Sequence, residues 1–272
     1  NAQSDAGIRA IIPVHIGGLS CELQSVLEYC GDNEIAVIED AAHALPATYN
    51  GKMIGAHSDL TVFSFYATKP VATGEGGMIT TDSAAFANRI KTMRLHGINR
   101  DVFDRYTTDR PSWYYEVVAP GFKYNMPDLA ASIGIEQLKK AHAFRIRRTA
   151  IADRYTAAFQ DLPIDVPLHG SSNRVHSWHL YIIQLQLEEL TIDRDTFIEK
   201  MLGEGIGVSV HYIPLHRQPY WRDTYSLSCD DFPVAERAYH RVVSLPIYTK
   251  MSDEDIERVI MAVRKILLGS VK

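Results

Sequence analysis

Two stretches of the chain hold residue types that can do chemistry together: VIEDAAHA at 37–44 and VFSFYATKPVATGEGG at 62–77. Asp40 closes an apolar run that reads as a buried strand, and the carboxyl end of a strand is where open α/β sheets place ligands. Lys69 follows the next strand-like run, and Pro70 biases it away from helix. An amine and a carboxylate facing one crevice suit pyridoxal phosphate (PLP), since the amine can form a Schiff base and the acid can pair with a protonated pyridine nitrogen. The ring draws electrons from a substrate carbon only while that proton stays on, and a low dielectric strengthens the ion pair that keeps it there. Ser64, one residue inside its strand end, can donate a hydroxyl to the cofactor phosphate.

Taken singly, these residues have plainer readings. A strand-end Asp before small residues is often a helix cap, and a Lys before Pro is commonly a solvated loop residue. Gly74, Gly76 and Gly77 look like a phosphate loop, but they precede a strand instead of joining a strand to a helix, so a Rossmann or Walker reading fails. Close approach of backbone accounts for them better.

The elements that must position these groups follow from periodicity. A strand over 10–14, a helix over 20–29 and a buried strand over 35–40 form one βαβ unit. Further strands are expected over 60–65 and 78–81, and Asp82 can cap a helix carrying Phe86, Ile90 and Met93. This alternation implies a mainly parallel sheet covered on both faces. The polar and aromatic stretch at 100–120 reads as a long ordered loop, and loops of that length are uncommon unless functional. One helix over 127–159 follows, with Pro127 suited to its first turn. Beyond it the pattern predicts strands over 179–186 and 207–212 and a helix over 195–202. A last helix opens at Ser252, with Asp255 completing a near capping box and Ile256, Val259, Ile260, Val263 and Leu267 on one face. Two domains are therefore expected, over 1–145 and 146–272.

Composition bounds the answer. The 272 residues are 46% hydrophobic and 22% charged, which excludes disorder and coiled coil. No apolar run reaches the ~18 residues that would span a bilayer. A net charge of -5, a pI near 6.1 and the lack of a basic block exclude nucleic acid as an expected partner. Cys21, Cys30 and Cys229 form no CxxC pair and are odd in number, so neither a disulfide framework nor a zinc knuckle is indicated and a reducing cytoplasm fits. His176, His179 and His216 do not repeat at zinc-ligand spacing, and no metal is expected. Residues 1–7 lack the regions of a signal peptide, and 9–15 reads straight into a strand, so an N-terminal portion is expected to be missing.

The segments VIEDAAHA, FSFYATKPVATGEGGMITT, MRLHGI, PGFKYNMPDLAASIGIEQLKK and VHYIPLH, in that order, resemble the DegT/DnrJ/EryC1/StrS family of PLP-dependent sugar-nucleotide aminotransferases. The resemblance implies the aspartate aminotransferase-like fold type I, with 1–145 as the remainder of the large cofactor-binding domain and 146–272 as the small C-terminal domain. It implies that Lys69 carries the cofactor and Asp40 pairs with its pyridinium. His43 would lie beside the ring hydroxyl, and Ser64 would bind the phosphate. Asn125 would reach the phosphate of a neighbouring subunit's cofactor, giving a homodimer with composite sites. His211 would lie near the sugar, while His96 and Trp178 are expected to pack. The family's N-terminal portion supplies a phosphate-binding helix start and an aromatic stacked on the ring, which nothing in this sequence replaces. Related sugar dehydratases have histidine in place of the lysine, so Lys69 argues for amino transfer from L-glutamate to a keto sugar nucleotide. The KYNMPD and SWHLYII segments and the RDVFDRY loop look most like enzymes that aminate a UDP-linked 4-keto pentose for lipid A modification. The competing reading is a non-catalytic sensor or partner-binding member, whose mark would be loss of Lys69 or Asp40. Both are present.

Overall fold

The computed structural model describes residues 7–99 and 114–272, so residues 100–113 of the expected loop lie outside the described residues. The chain divides into two compact units, one holding residues 1–16 and 20–141 and the other holding 17–19 and 142–272.

In the first unit, β1 (Ala10–Ile11) leads through α1 (Leu23–Asp32) to β2 (Ala36–Asp40). A small hairpin of β3 (Thr48–Tyr49) and β4 (Lys52–Met53) separates β2 from β5 (Leu60–Ser64), and β6 (Gly77–Thr80) precedes α2 (Ala84–Met93). The main sheet runs β1-β2-β5-β6; its first three strands are parallel and β6 joins antiparallel. The sheet is thus mixed at one edge, because β5 and β6 are joined by a hairpin-like loop and not by a crossover helix. Ser83, not Asp82, caps α2, its hydroxyl accepting from the Phe86 N–H at 3.3 Å. The core gathers Leu23, Ala41, Ala44, Tyr49, Phe63 and Phe65.

The single helix expected over 127–159 is two, α3 (Asp128–Leu138) and α4 (Ala141–Ala158), parted by a turn at Lys139 and Lys140. Neither residue is a breaker, so composition carries no sign of the turn. Pro127 is the N-cap of α3, in extended geometry, one place earlier than expected.

The second unit is built on α4, β7 (Ile164–Asp165), a hairpin of β8 (Gly170–Ser171) and β9 (Arg174–Val175), β10 (Tyr181–Leu185) and α5 (Arg194–Gly203). Next come α6 (Pro219–Tyr225), α7 (Pro233–Tyr239), β11 (Val242–Leu245) and α8 (Asp253–Leu268). Its sheet, β11-β10-β7, is antiparallel. The strand expected over 207–212 is absent: only Ser209 pairs, exchanging backbone hydrogen bonds with Ser244 on β11. The short run VVSL, ended by Pro246, forms β11, and Ser209 bridges to the side of β11 away from β10. In α8 the Ser252 hydroxyl accepts from the Asp255 N–H at 3.1 Å, and the Asp255 carboxylate accepts from the Ser252 N–H at 3.0 Å. That capping box fixes the helix start, and Ile256, Val259, Ile260, Val263 and Leu267 are all buried as the periodicity predicts. Each such side chain contributes about 1.5–3 kcal/mol of burial. They join Tyr155, Phe159, Trp178, Tyr181 and Phe197 in one core.

Candidate active site

Strand register decides which face each residue takes. Asp40 stands opposite Val62 in the parallel β2–β5 pair, and Ser64 lies two residues further along β5. Successive side chains alternate, so Asp40, Val62 and Ser64 share one face, where Asp40 and Ser64 are half-buried and Val62 is exposed. The opposite face carries Glu39, Thr61 and Phe63, all buried.

No helix follows Asp40, so the helix-cap reading fails. Its Oδ1 accepts from the Ala42 N–H at 3.0 Å in an Asx turn, and Oδ2 has no hydrogen-bond partner among the described residues. Two tight turns then carry the chain past His43, which is buried. Ser64 Oγ accepts from the Tyr66 N–H at 3.3 Å.

Lys69 sits in the loop between β5 and β6, its N–H bonded to Tyr66 O at 2.9 Å. Thr73, which carried no sequence signal, closes that loop: its N–H donates to Phe65 O at 2.8 Å and its hydroxyl to Glu75 O at 2.7 Å. The glycines behave as close approach requires. A Cβ on Gly77 would lie 2.8 Å from Phe63 O, and one on Gly76, at φ +155, would lie 2.6 Å from Thr73 Oγ1. Gly74 differs, since it has open space and is needed for its φ of +84. The loop holds Lys69 half-buried, so the solvated-loop reading also fails. Burial pushes its ammonium below the ordinary lysine range, and the Asp40 charge only partly opposes that. The amine and the carboxylate are therefore electrostatic neighbours, with the amine biased toward its neutral, nucleophilic form.

The other expected residues lie apart from these. Asn125, in the segment before α3, bonds the Lys123 ammonium and none of Asp40, His43, Ser64 or Lys69. His211, in the second unit, is half-buried with Nδ1 2.8 Å from Ser244 Oγ. Trp178 is a core residue stacked on His176 at 3.8 Å, whereas His96, also expected to pack, is exposed. Among the described residues His216, Cys229 and Glu236 bring ligand atoms within 4.8 Å of one another. The Glu236 carboxylate is already gripped by Arg217 through Nε at 2.7 Å and Nη2 at 2.6 Å, and by His216 at 2.6 Å. A fixed guanidinium in that position repels a metal ion, so the trio reads as a carboxylate hub.

Residues 3–264 match the model of the DegT/DnrJ/EryC1/StrS aminotransferase family. The chain belongs to this family. It is 50% identical over 259 residues to the uncharacterized protein MJ1066 of Methanocaldococcus jannaschii, covering 95% of this chain and 67% of that protein. It is 44% identical over 264 residues to the spore coat polysaccharide biosynthesis protein SpsC of Bacillus subtilis, covering 96% and 67%. The putative sugar aminotransferase Spr1654 of Streptococcus pneumoniae superposes with a TM-score of 0.88 at 28% identity over 96% of this chain and 70% of that one, and is known in PLP and PMP forms. This DegT-family protein is thus a PLP-dependent sugar aminotransferase of fold type I.

The residues present fit that cofactor. A half-buried amine that feels the Asp40 charge, an acid with one oxygen unpartnered among the described residues and a strand-end hydroxyl on the Asp40 face are the groups PLP needs. Among the described residues no helix is long and apolar enough to cross a membrane.

Proposed function

We propose that the protein transfers the amino group of L-glutamate to a keto sugar nucleotide, a UDP-linked 4-keto sugar, yielding 2-oxoglutarate and an amino sugar nucleotide for cell-surface polysaccharide or lipid A. Lys69 holds the cofactor covalently. Asp40 keeps its ring nitrogen protonated, His43 lies beside its ring hydroxyl, and Ser64 binds its phosphate. Bound there, PLP supplies an electron-poor ring that stabilises negative charge at the substrate carbon. Neutral Lys69 Nζ takes the α-proton of glutamate, and in the second half-reaction it returns a proton to the sugar carbon that receives nitrogen. Burial of Lys69 serves both steps, because a pKa below the ordinary lysine range leaves more of the amine in the neutral form that takes a proton and makes its ammonium a readier donor.

The reading extends to assembly. Asn125 reaches the phosphate of a second subunit's cofactor in a cytoplasmic homodimer. His211 contacts the sugar. Residues 1–145 form the cofactor domain and 146–272 the small domain. The polysaccharide role of SpsC, 44% identical, supports a cell-surface product.

The observation that carries the proposal is the electrostatic pairing of a half-buried Lys69 with Asp40. Its test is a panel of 3-keto and 4-keto sugar nucleotides incubated with glutamate and the full-length enzyme, followed by product mass and stereochemistry. Wild type should form an amino sugar from a UDP-linked 4-keto substrate, and Lys69→Ala should form none. A Lys69→Ala protein turning over at the wild-type rate would reject the mechanism, and exclusive use of 3-keto substrates would reject the sugar.

A further inference from the structure

Directly beneath the cofactor-facing edge lies a buried polar cluster that the catalytic reading does not use. Glu39, the residue before Asp40, and His15 are both 0% exposed. His15 Nε2–H donates to Glu39 Oε2 at 2.7 Å, and the Ser58 and Thr61 hydroxyls donate to Oε1 at 2.6 and 3.1 Å. His15 Nδ1 accepts from the Cys21 N–H at 3.0 Å, which leaves the ring proton on Nε2. Burial alone would disfavour the Glu39 charge, but these donors outweigh it and hold the carboxyl below the usual carboxylate range.

The cluster is tied to Asp40 through the main chain. The His15 N–H donates to Asp40 O at 3.0 Å, the Asp40 N–H donates to Pro13 O at 2.9 Å, and the Ala41 N–H donates to Val62 O at 2.8 Å. Asp40 thus has strand neighbours on both sides, and Glu39 pins the same register from the opposite face to segment 13–15 and to the start of β5. A hydrophobic residue at position 39 would pack on this buried face, but the carboxylate adds three directional hydrogen bonds to the register that burial already favours.

We propose that the His15–Glu39 pair is a positioning device that locks the end of β2 so that the Asp40 carboxylate meets the cofactor's ring nitrogen. The inference rests on Asp40 being that partner. The test uses the full-length enzyme carrying His15→Leu, which supplies no donor to Glu39, or His15→Gln, whose amide can donate to Glu39 and accept from Cys21. Asp40→Asn serves as the control. The readouts are PLP affinity by visible absorbance, the pH profile of that absorbance, kcat and KM for glutamate, and the melting temperature of the cofactor-free protein. Loss of one charged hydrogen bond predicts PLP binding and kcat each about tenfold lower in His15→Leu. KM for glutamate should be unchanged, the absorbance profile should shift toward that of Asp40→Asn, and His15→Gln should recover most of the loss. A folded His15→Leu protein with wild-type affinity, profile and kcat overturns the proposal. If His15→Leu fails to fold, Ser58→Ala and Thr61→Val each remove one donor from the same carboxylate, and wild-type readouts in both would overturn it equally. A silent Asp40→Asn would instead refute the reading of Asp40 itself.

Discussion

Replacing Arg148 with methionine should cost the second unit more stability than any exposed charge on the same helix. Arg148 is 7% exposed, and its Nη1 donates to Trp178 O at 2.9 Å, His179 O at 3.2 Å and Ile247 O at 2.9 Å. These bonds fasten α4 to the segment entering β10 and to the segment leaving β11. Nη1 carries two N–H groups, which the three carbonyls share, and each hydrogen bond from a charged donor contributes about 1.5–3 kcal/mol. Burying the guanidinium lowers its pKa to about 10 from 12.5. That shift is a cost of about 3 kcal/mol, which offsets part of the gain. Methionine fills the space but leaves three buried carbonyls unmet, so the net loss should be about 2–5 kcal/mol. Arg154→Met is the control: that residue also lies on α4 and pairs with Asp253 at 2.8 Å and with Glu257, but it is partly exposed. Its loss should cost under about 1 kcal/mol. Urea melts give the two midpoints, and hydrogen exchange of β10 amides reports the second unit specifically. Equal midpoints for Arg148→Met and Arg154→Met would refute the argument that three buried carbonyls depend on one guanidinium.

Lys69 should react with amine-directed reagents with a midpoint below the ordinary lysine range, and Asp40→Asn should lower it further by removing the charge that opposes the shift; a midpoint raised by Asp40→Asn would contradict this. Because the folded-state pKa is depressed, the unfolded chain binds more protons there, so Lys69 should make stability rise as pH climbs from its folded pKa toward 10.5. Gly77→Ala should separate β5 from β6 at the Ser64 rung, its Cβ 2.8 Å from Phe63 O, weakening PLP binding and costing about 1–3 kcal/mol in a melt. Gly31→Ala, on α1 with nothing within 4 Å of its Cβ, should have the opposite sign and stabilise by about 0.5–1 kcal/mol.

Much of this molecule is written in short stretches of chain. The capping box at Ser252 and the five-residue apolar face of α8 depend only on neighbours within two turns, so periodicity and end chemistry specify them completely. The strand ending in Asp40 and the proline-flanked lysine likewise announce themselves locally, and the ordered family segments add the cofactor. What local pattern misjudges are the places where partners come from far along the chain. The turn at Lys139 and Lys140 has no breaker to mark it, and residues 207–212 make a single bridge to β11 at Ser209 and no strand, because pairing depends on segments distant in sequence. The donors of Glu39 come from 15, 58 and 61, and Thr73 closes the lysine loop by reaching back to Phe65. Residue types and their periods determined which chemistry the chain holds; only the folded sheet decided how that chemistry is aimed, because a buried polar group's meaning lies in the partner brought to it and not in its neighbours along the chain.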